Sequence, residues 1–273
     1  MTLSTLCDPG GLRYAVPVAW DPAQYLKFVD HRLRPVIDLL NRIDAADPRE
    51  VCDLGAGAGN VTQLLEARWP GARITGVDSS REMLAKAAAA APEITWQHAD
   101  LATWRPVRPA AVIYSNAALH WLGDHARVFP SLLSVLAQEG VLAVQMPRNF
   151  LAPSHTSIVD AARSGPWRAK LEPLLRPVPV NEPAFYYDLL APRATALDIW
   201  ETEYLQVLEG EHPVKEWTKG TWLKPLLDAL EEPERSGFEA AYAELVARAY
   251  PRRPDGRTLL PFRRLFIVAR ARG

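Results

Sequence analysis

A glycine-rich segment is the first stretch of the chain whose residue types could do chemistry. Residues 53–60 read Asp-Leu-Gly-Ala-Gly-Ala-Gly-Asn, after an apolar run and before a helical pattern. Gly55, Gly57 and Gly59 let the main chain turn tightly and approach a ligand closely, because glycine has no Cβ. A dinucleotide site requires the spacing Gly-x-Gly-x-x-Gly, and Asn60 stands where its third glycine would be. The segment therefore predicts a ligand-binding turn of a different kind.

The charge at this turn favours one cofactor over another. Asp53 stands two positions before Gly55. A carboxylate there repels a pyrophosphate but attracts the ammonium and sulfonium groups of S-adenosylmethionine. We therefore expect S-adenosylmethionine as the cofactor, and a nicotinamide dehydrogenase is the least favoured enzyme class.

Two further acids follow the next two predicted strands. Asp78 ends the segment Ile-Thr-Gly-Val-Asp, and Asp100 lies in His-Ala-Asp-Leu. A carboxylate at the end of the second strand of such a fold can accept both ribose hydroxyls. Asp100 could accept from the adenine amine, with the amide of Leu101 nearby. Because open α/β sheets bind ligands at the carboxyl ends of their strands, we expect these acids to act together.

The hydrophobic pattern indicates the elements that must position these residues. Short apolar runs alternate with helical periodicities, which is typical of βαβ units and a parallel sheet. The fold prediction is an α/β, Rossmann-like fold with a doubly wound, mostly parallel seven-stranded sheet. The predicted strands are Glu50–Leu54, Arg73–Val77, Ile94–His98, Ala110–Ser115, Val141–Met146, Ile199–Leu208 and Leu265–Ala269. The predicted helices are Pro22–Ile43 divided at Pro35, Asn60–Ala67, Ser80–Ala91 capped by Ser79 or Ser80, Asp124–Leu136 with a fresh start at Pro130, and His212–Tyr250 in pieces.

The predicted organisation is one domain preceded by an arm. Residues 1–19, with two prolines and two glycines, are expected to form a flexible arm. Residues 20–273 form a single domain, in which 20–147 bind the cofactor and 148–273 bind the substrate. The helical insertions of this second half are expected to form a cap over the substrate side.

Composition limits the classes of partner. The chain has 273 residues, 48% of them hydrophobic, and a formal net charge of −1, so it lacks the basic excess of a nucleic-acid binder. No run approaches the ~18 apolar residues of a membrane span, and residues 1–14 do not read as a secretory signal. We expect a cytoplasmic protein that binds neither nucleic acid nor membrane. Its two cysteines, Cys7 and Cys52, form no disulfide framework or metal-ligand cluster, and Cys52 is expected in the core.

The whole chain from Trp20 to Arg270 resembles the trans-aconitate 2-methyltransferase family, which belongs to the class I S-adenosylmethionine-dependent methyltransferases. The matching segments are Trp20-Asp-Pro with Tyr25, Trp69–Ser80, Asn116–Leu122, Gly140–Pro147, Tyr186–Asp188 and Arg264–Arg270. The family loop often reads Cys-Gly-Pro-Gly where this chain has Ala-Gly-Ala-Gly from Ala56, a change that should preserve cofactor binding. The resemblance implies a cofactor site that includes Trp20, Tyr25, Asp53, Gly55, Ala56, Gly57, Asn60, Asp78, Ser79, Asp100, Leu101 and Asn116.

The resemblance also implies the reaction. A family enzyme transfers a methyl group in line from the sulfonium to one carboxylate of trans-aconitate, giving a monomethyl ester. A carboxylate is already ionised at neutral pH, so no general base is required.

Binding a tricarboxylate requires cationic or donor side chains, and the planar fork of arginine suits a carboxylate best. Arginines in the second half are therefore candidates, and Arg264 is preferred because it lies in a matching segment. The other predicted residues around the acid are Arg148, Arg193, Arg263, His120, Trp121 and Tyr187.

Four alternatives stay open at the level of sequence. The acceptor could be another small acid, a malonyl group on an acyl carrier or a quinone precursor. A carrier would need a basic docking face, for which the arginines between 248 and 264 are candidates. A non-catalytic protein that binds S-adenosylmethionine would keep the same glycine turn and acids.

Overall fold

The computed structural model describes residues 33–272 and shows one seven-stranded sheet. The strand order is β3-β2-β1-β4-β5-β7-β6, and the first five strands pair in parallel. β7 is antiparallel to both of its neighbours. The predicted α/β class and mostly parallel sheet are confirmed. The strands are β1 (Glu50–Leu54), β2 (Arg73–Asp78), β3 (Thr95–His98), β4 (Ala110–Asn116), β5 (Leu136–Pro147), β6 (Ala194–Leu208) and β7 (Thr258–Ala271).

Helices cover the sheet and build the second half of the chain. Pro35 lies in the first turn of α1, where its missing amide hydrogen costs nothing, and Ser80 caps α3 by accepting from the amide of Met83 at 3.3 Å. The earlier part of the predicted helix Pro22–Ile43 and the arm 1–19 lie outside the described residues. The helices are α1 (Arg34–Asn41), α2 (Asn60–Arg68), α3 (Arg81–Ala90), α4 (His125–Leu133), α5 (Pro153–Ser164), α6 (Arg168–Leu171), α7 (Pro183–Leu190), α8 (Pro213–Lys219), α9 (Lys224–Asp228) and α10 (Glu234–Ala249).

Both faces of the sheet are buried, as the apolar character of its strands requires. On one face, α4 packs Phe129 against strand residues such as Leu142. On the other face, α1 packs Leu40 against residues such as Ala143. A third core joins α5, α10 and the start of β7 around Phe238, which makes the helical layer of the second half a packed unit.

Several predicted boundaries are wrong, and proline explains two of them. Pro130 lies inside α4, which runs through it and ends at Leu133, so it does not mark a fresh start. β7 begins at Thr258 although Pro261 and two arginines interrupt its apolar pattern. β6 and β7 pair along their whole lengths, from Ala194 opposite Ala271 to Leu208 opposite Thr258. This long antiparallel pair carries its own polar residues to the edge of the sheet where the site lies.

Within residues 33–272, none of the helices combines the length and apolar character that crossing a membrane would require.

Candidate functional site

The glycine turn lies between β1 and α2, and its conformation requires glycine. Gly55 has φ +82°, and a Cβ built there would lie 2.1 Å from Cβ of Ala118. Its amide donates to the carbonyl of Val77, which fixes the turn to β2. Gly57 has φ +55°, yet a Cβ there would meet nothing within 4 Å. The turn is thus packed tightly at its base and open at Gly57, where a ligand could approach the main chain.

Asp78 at the end of β2 is held by the main chain. One carboxylate oxygen accepts from the amide of Gly57 at 2.9 Å, and the other accepts from the amide of Ser80 at 2.8 Å. Each carboxylate oxygen can accept more than one hydrogen bond, so acceptor capacity remains for a ribose. The contact explains why an acid at the end of the adjacent strand matters to the glycine turn.

Asp53 is buried, with 2% of its surface exposed, and Oδ2 accepts from Oγ1 of Thr62 at 2.7 Å. Burial raises the pKa of Asp53 to about 7, although the hydrogen bond from Thr62 opposes the shift and the nearby charge of Asp78 adds to it. A carboxylate with a raised pKa in this position is stabilised by any cation that binds beside it.

The remaining predicted cofactor residues that fall within residues 33–272 lie around the same edge. Asp100 is exposed and accepts from the amide of Ala102 at 2.9 Å. The carbonyl of Ser79 accepts from Nε2 of His98 at 3.0 Å, which ties β2 to β3. Trp20 and Tyr25 lie outside the described residues. Ala56 is buried, Asn60 opens α2, Leu101 lies near Gly55, and Asn116 ends β4.

A cavity of about 450 Å³ lies beside this edge, between the ends of β4 and β5 and the helical layer of the second half. The cavity begins at Ala117, directly after β4. The amide of Ala117 donates to the carbonyl of Gln145. Ala117 has φ +52°, a conformation that costs energy for a residue with a Cβ. Polar and aromatic side chains line the space, notably His120, Trp121, Asn149, His155, Trp222 and Arg264.

Arg264 is the cation of this cavity. It lies on β7, and its guanidinium carbon stacks 4.3 Å from the ring centre of Phe262. Burial lowers the pKa of Arg264 to about 10, and among residues 33–272 its Nε has no hydrogen-bond partner. A half-buried cation that makes no ion pair within residues 33–272 is costly, so the geometry favours binding an anion here.

His120 and Trp121 form the short 3₁₀ turn after β4. His120 is buried, and its burial, helped by the charges of Arg264 and His125, lowers the pKa of His120 to about 3. It is therefore a neutral hydrogen-bonding group at physiological pH. Trp121 is 49% exposed and lies 5.6 Å from Trp222 between ring centres, so it is a wall of the cavity rather than a core residue.

Most of the buried polar atoms that lack a hydrogen-bond partner lie in one region of the described chain. In the described part of the chain, seven buried side-chain nitrogen or oxygen atoms have no hydrogen-bond partner. One belongs to Arg68. The others belong to five residues, of which four lie at the ends of β4 and β5 or in the segments that follow them, and the fifth lies in the middle of β7, opposite Pro147: Asn116, His120, Gln145, Asn149 and Arg264. Native proteins rarely leave such atoms unpaired, so their concentration indicates a site for a polar ligand.

A hydrogen-bond chain positions the turn that carries His120. Nε2 of His125 lies 3.0 Å from the carbonyl of Leu119, and a carbonyl can only accept, so the proton is on Nε2. Nδ1 then accepts from the hydroxyl of Tyr186 at 2.7 Å. Tyr187, predicted from the sequence to lie around the acid, has a side chain that is 57% exposed and does not line the cavity. The neighbouring Tyr186 faces inward instead.

Three of the four candidate arginines lie away from the cavity. Arg148 forms ion pairs with Glu182 and Glu201 and lines a separate space. Arg263 points to the opposite face of β7 from Arg264 and lies 3.5 Å from Glu203. Arg193 precedes β6, which runs parallel to β5, so it lies at the amino ends of the parallel strands. These predictions are corrected, and Arg264 is the arginine that the fold brings to the site.

Sequence reasoning missed three residues here, namely Gln145, Asn149 and His155. Gln145 is a fully buried amide within an apolar strand, which is an unusual residue for that position and could have been noticed. Asn149 lies in the irregular segment after β5 and His155 lies in the first turn of α5, and the sequence pattern after Pro147 did not place either of them. Only the packing of α5 brings His155 to the cavity.

Comparisons with known proteins agree with this geometry. A family profile described as a methyltransferase domain matches residues 51–140. The YcgJ protein of Bacillus subtilis shares the fold, with a TM-score of 0.54 and 17% identity over 87% of this chain and 97% of that one. Phosphoethanolamine N-methyltransferase 2 of Haemonchus contortus, solved with S-adenosylhomocysteine, gives 0.54 at 14% identity, covering 88% of this chain and 52% of that one.

The fold and the site define a class, the S-adenosylmethionine-dependent methyltransferases. Trans-aconitate 2-methyltransferase of Azoarcus sp. is 49% identical over 250 residues, which cover 92% of this chain and 98% of the relative. The protein of the same name from Methylobacterium radiotolerans is 46% identical over 254 residues, again 92% and 98% of the two chains. The chain belongs to the trans-aconitate 2-methyltransferase family.

Proposed function

We propose that the chain is a carboxyl O-methyltransferase that uses S-adenosylmethionine to form the monomethyl ester of trans-aconitate. The observation that carries the proposal is Arg264, a half-buried cation whose Nε has no hydrogen-bond partner among residues 33–272, in a cavity that opens directly beside the end of β4. A polyanionic acid supplies the missing partner. The two relatives of that name support this acceptor, since they align over almost their entire lengths.

The residues of the glycine turn suit this cofactor. The open face at Gly57 admits a ligand close to the main chain, and Asp78 keeps acceptor capacity for ribose hydroxyls. Asp53 supplies negative charge for the cationic amino acid part. When bound, S-adenosylmethionine supplies an electrophilic methyl group on its sulfonium.

The chain itself contributes binding, alignment and exclusion of water. Arg264 would hold one carboxylate of the acid that does not react, because pairing the reacting oxygen with a cation would weaken it as a nucleophile. His120 is neutral, so it can donate a hydrogen bond without fixing a charge near that oxygen. Trp121 and Trp222 wall the cavity. Alignment of this kind can lower a barrier by ~7–11 kcal/mol.

The carrier-linked alternative gains no support from the arginines near the end of the chain. Nε of Arg252 donates to the carbonyl of Gly256, Arg257 pairs with Glu209 at 3.0 Å, and Arg263 lies beside Glu203. Two arginines of the proposed basic face are therefore paired with carboxylates of this chain. We propose that the acceptor is the free acid and that the protein works in the cytoplasm without a nucleic-acid partner.

Methyl transfer from labelled S-adenosylmethionine to free acids tests the proposal. The acceptors are trans-aconitate, cis-aconitate, isocitrate and citrate, each at the same concentration. We expect trans-aconitate to give the highest kcat/KM and a product that is hydrolysed by mild base, as an ester is. Cofactor binding without transfer to any of these acids would contradict the proposal and would favour another acceptor or a non-catalytic role.

A further inference from the structure

His155 is a cavity residue to which the reaction described so far assigns no role. It lies in the first turn of α5, and only 8% of its surface is exposed. Its ring is fixed between two aromatic side chains, with ring centres 5.1 Å from Phe150 and 5.9 Å from Trp222. A histidine held this firmly presents its free nitrogen in one direction.

The hydrogen bonds of His155 define which nitrogen carries the proton. Nδ1 lies 3.4 Å from Nδ2 of Asn149 and 3.1 Å from Oγ of Ser154. An amide nitrogen can only donate, so Nδ1 accepts and the proton resides on Nε2. Burial lowers the pKa of His155 to about 4, so the ring stays neutral at physiological pH.

The free N–H belongs to a cavity that already contains a cation. Nε2 has no hydrogen-bond partner among residues 33–272, and the ring lines the same cavity as Arg264. The position at the start of a 12-residue helix adds the positive end of the helix dipole, which favours an anion nearby. Arg264 comes from β7 and His155 from α5, so they are independent groups.

We propose that His155 binds a second carboxylate of the acceptor through Nε2–H, and that this contact makes the cavity select tricarboxylates over dicarboxylates. The inference rests on the proposed function and deepens it. Arg264 supplies charge for one non-reacting carboxylate, and His155 supplies a directed neutral donor for the other. The third carboxylate is then left for methyl transfer.

A comparison of trans-aconitate with acids that each lack one of its carboxylates tests this role. These acids are itaconate, glutaconate and mesaconate, and all four are measured with the wild type, His155→Phe and His155→Gln. Phe keeps an aromatic ring between Phe150 and Trp222 but has no donor, whereas Gln keeps a donor. We expect His155→Phe to raise KM for trans-aconitate by about 10- to 100-fold, the range for a hydrogen bond to a charged group, with kcat and cofactor affinity little changed.

The dicarboxylates distinguish specificity from a structural role. One of the three dicarboxylates lacks the carboxylate that binds His155, and for this acid His155→Phe and the wild type should have the same kcat/KM. His155→Gln should recover part of the preference for trans-aconitate over this dicarboxylate. Equal losses on all four acids, or unchanged discrimination in a folded variant, would overturn this inference alone. If the wild type methylates none of them, the proposed function fails and this inference fails with it.

Discussion

Thr62 donates through Oγ1 to Oδ2 of Asp53 at 2.7 Å, and both side chains are buried beneath the glycine turn. The hydroxyl holds the carboxylate in one orientation but does not supply the charge that would keep it ionised. Burial therefore dominates and raises the pKa of Asp53 to about 7. A bound cation would reverse this shift, which links cofactor binding to the protonation of one residue.

Cofactor affinity should depend on pH through Asp53. Protonation below the raised pKa removes the negative charge, so binding of S-adenosylmethionine should weaken as pH falls from 8 to 6, by up to about tenfold per pH unit below the pKa. Isothermal titration across this range measures the effect, and binding near pH 7 should release protons. Asp53→Asn should bind more weakly and lose this pH dependence, and a wild-type affinity independent of pH would contradict the account.

Two glycine substitutions should separate folding from binding. Gly55→Ala places a Cβ 2.1 Å from Cβ of Ala118, so it should lower the free energy of unfolding by several kcal/mol. Gly57→Ala meets no atom within 4 Å and should cost only about 1 kcal/mol for its positive φ. Its methyl group nevertheless projects into the space expected for the cofactor. Thermal unfolding and cofactor titration of both variants test this, with Gly71→Ala as the control; equal stability of the two variants would refute the packing argument.

Gln145 should be a residue that lowers stability for the sake of binding. Both amide atoms of its side chain are buried without a partner among residues 33–272. Gln145→Met should therefore raise the melting temperature of the free protein by about 2–4 °C while lowering kcat/KM at least about tenfold. Differential scanning fluorimetry and methyl-transfer assays measure the two effects.

Gln97 provides the matched control for Gln145. Its Oε1 accepts from Nε1 of Trp104 at 3.1 Å, so Gln97→Met should lower the melting temperature instead. If Gln145→Met destabilised the protein as well, the amide would have a structural role, and its assignment to the ligand site would be wrong.

Tyr186 and Tyr187 form a pair of neighbours with opposite expected effects. Tyr186→Phe removes the donor to Nδ1 of His125 and loosens the turn that carries His120, so it should destabilise the protein by about 1–3 kcal/mol and raise KM for the acid severalfold. Tyr187→Phe should change neither quantity, because that side chain is exposed. Denaturant unfolding and steady-state kinetics measure both, and an equal effect of the two substitutions would contradict the proposed positioning.

The first half of the fold could be predicted because its signals are local. β1, β2 and β4 each contain an apolar run next to a helix start or a turn, and Ser80 caps α3 as its type suggests. The first residue of β7 could not be predicted in the same way. The first half of this strand contains Pro261, Arg263 and Arg264, which only the long pairing with β6 makes compatible with a strand.

The two parts of the site differ in how far the sequence predicts them, for a related reason. Asp53 and Asp78 lie in the last two residues of β1 and β2, so topology alone brings them to one edge. The acid-binding side depends on tertiary packing. Sequence could not show that glutamates engage Arg148, nor that α5 carries His155 into the cavity. It identified Arg264 through its neighbours in a family-matching segment rather than through its own burial.

The central claim is that Arg264 binds the acid that is methylated. Arg264→Gln and Arg263→Gln compare adjacent positions of β7 whose side chains lie on opposite faces. We predict that Arg264→Gln raises KM for trans-aconitate about 100-fold with unchanged affinity for S-adenosylmethionine, and that Arg263→Gln changes KM less than about threefold. A folded Arg264→Gln protein with the wild-type KM, or one that lost cofactor binding to the same extent, would contradict the account.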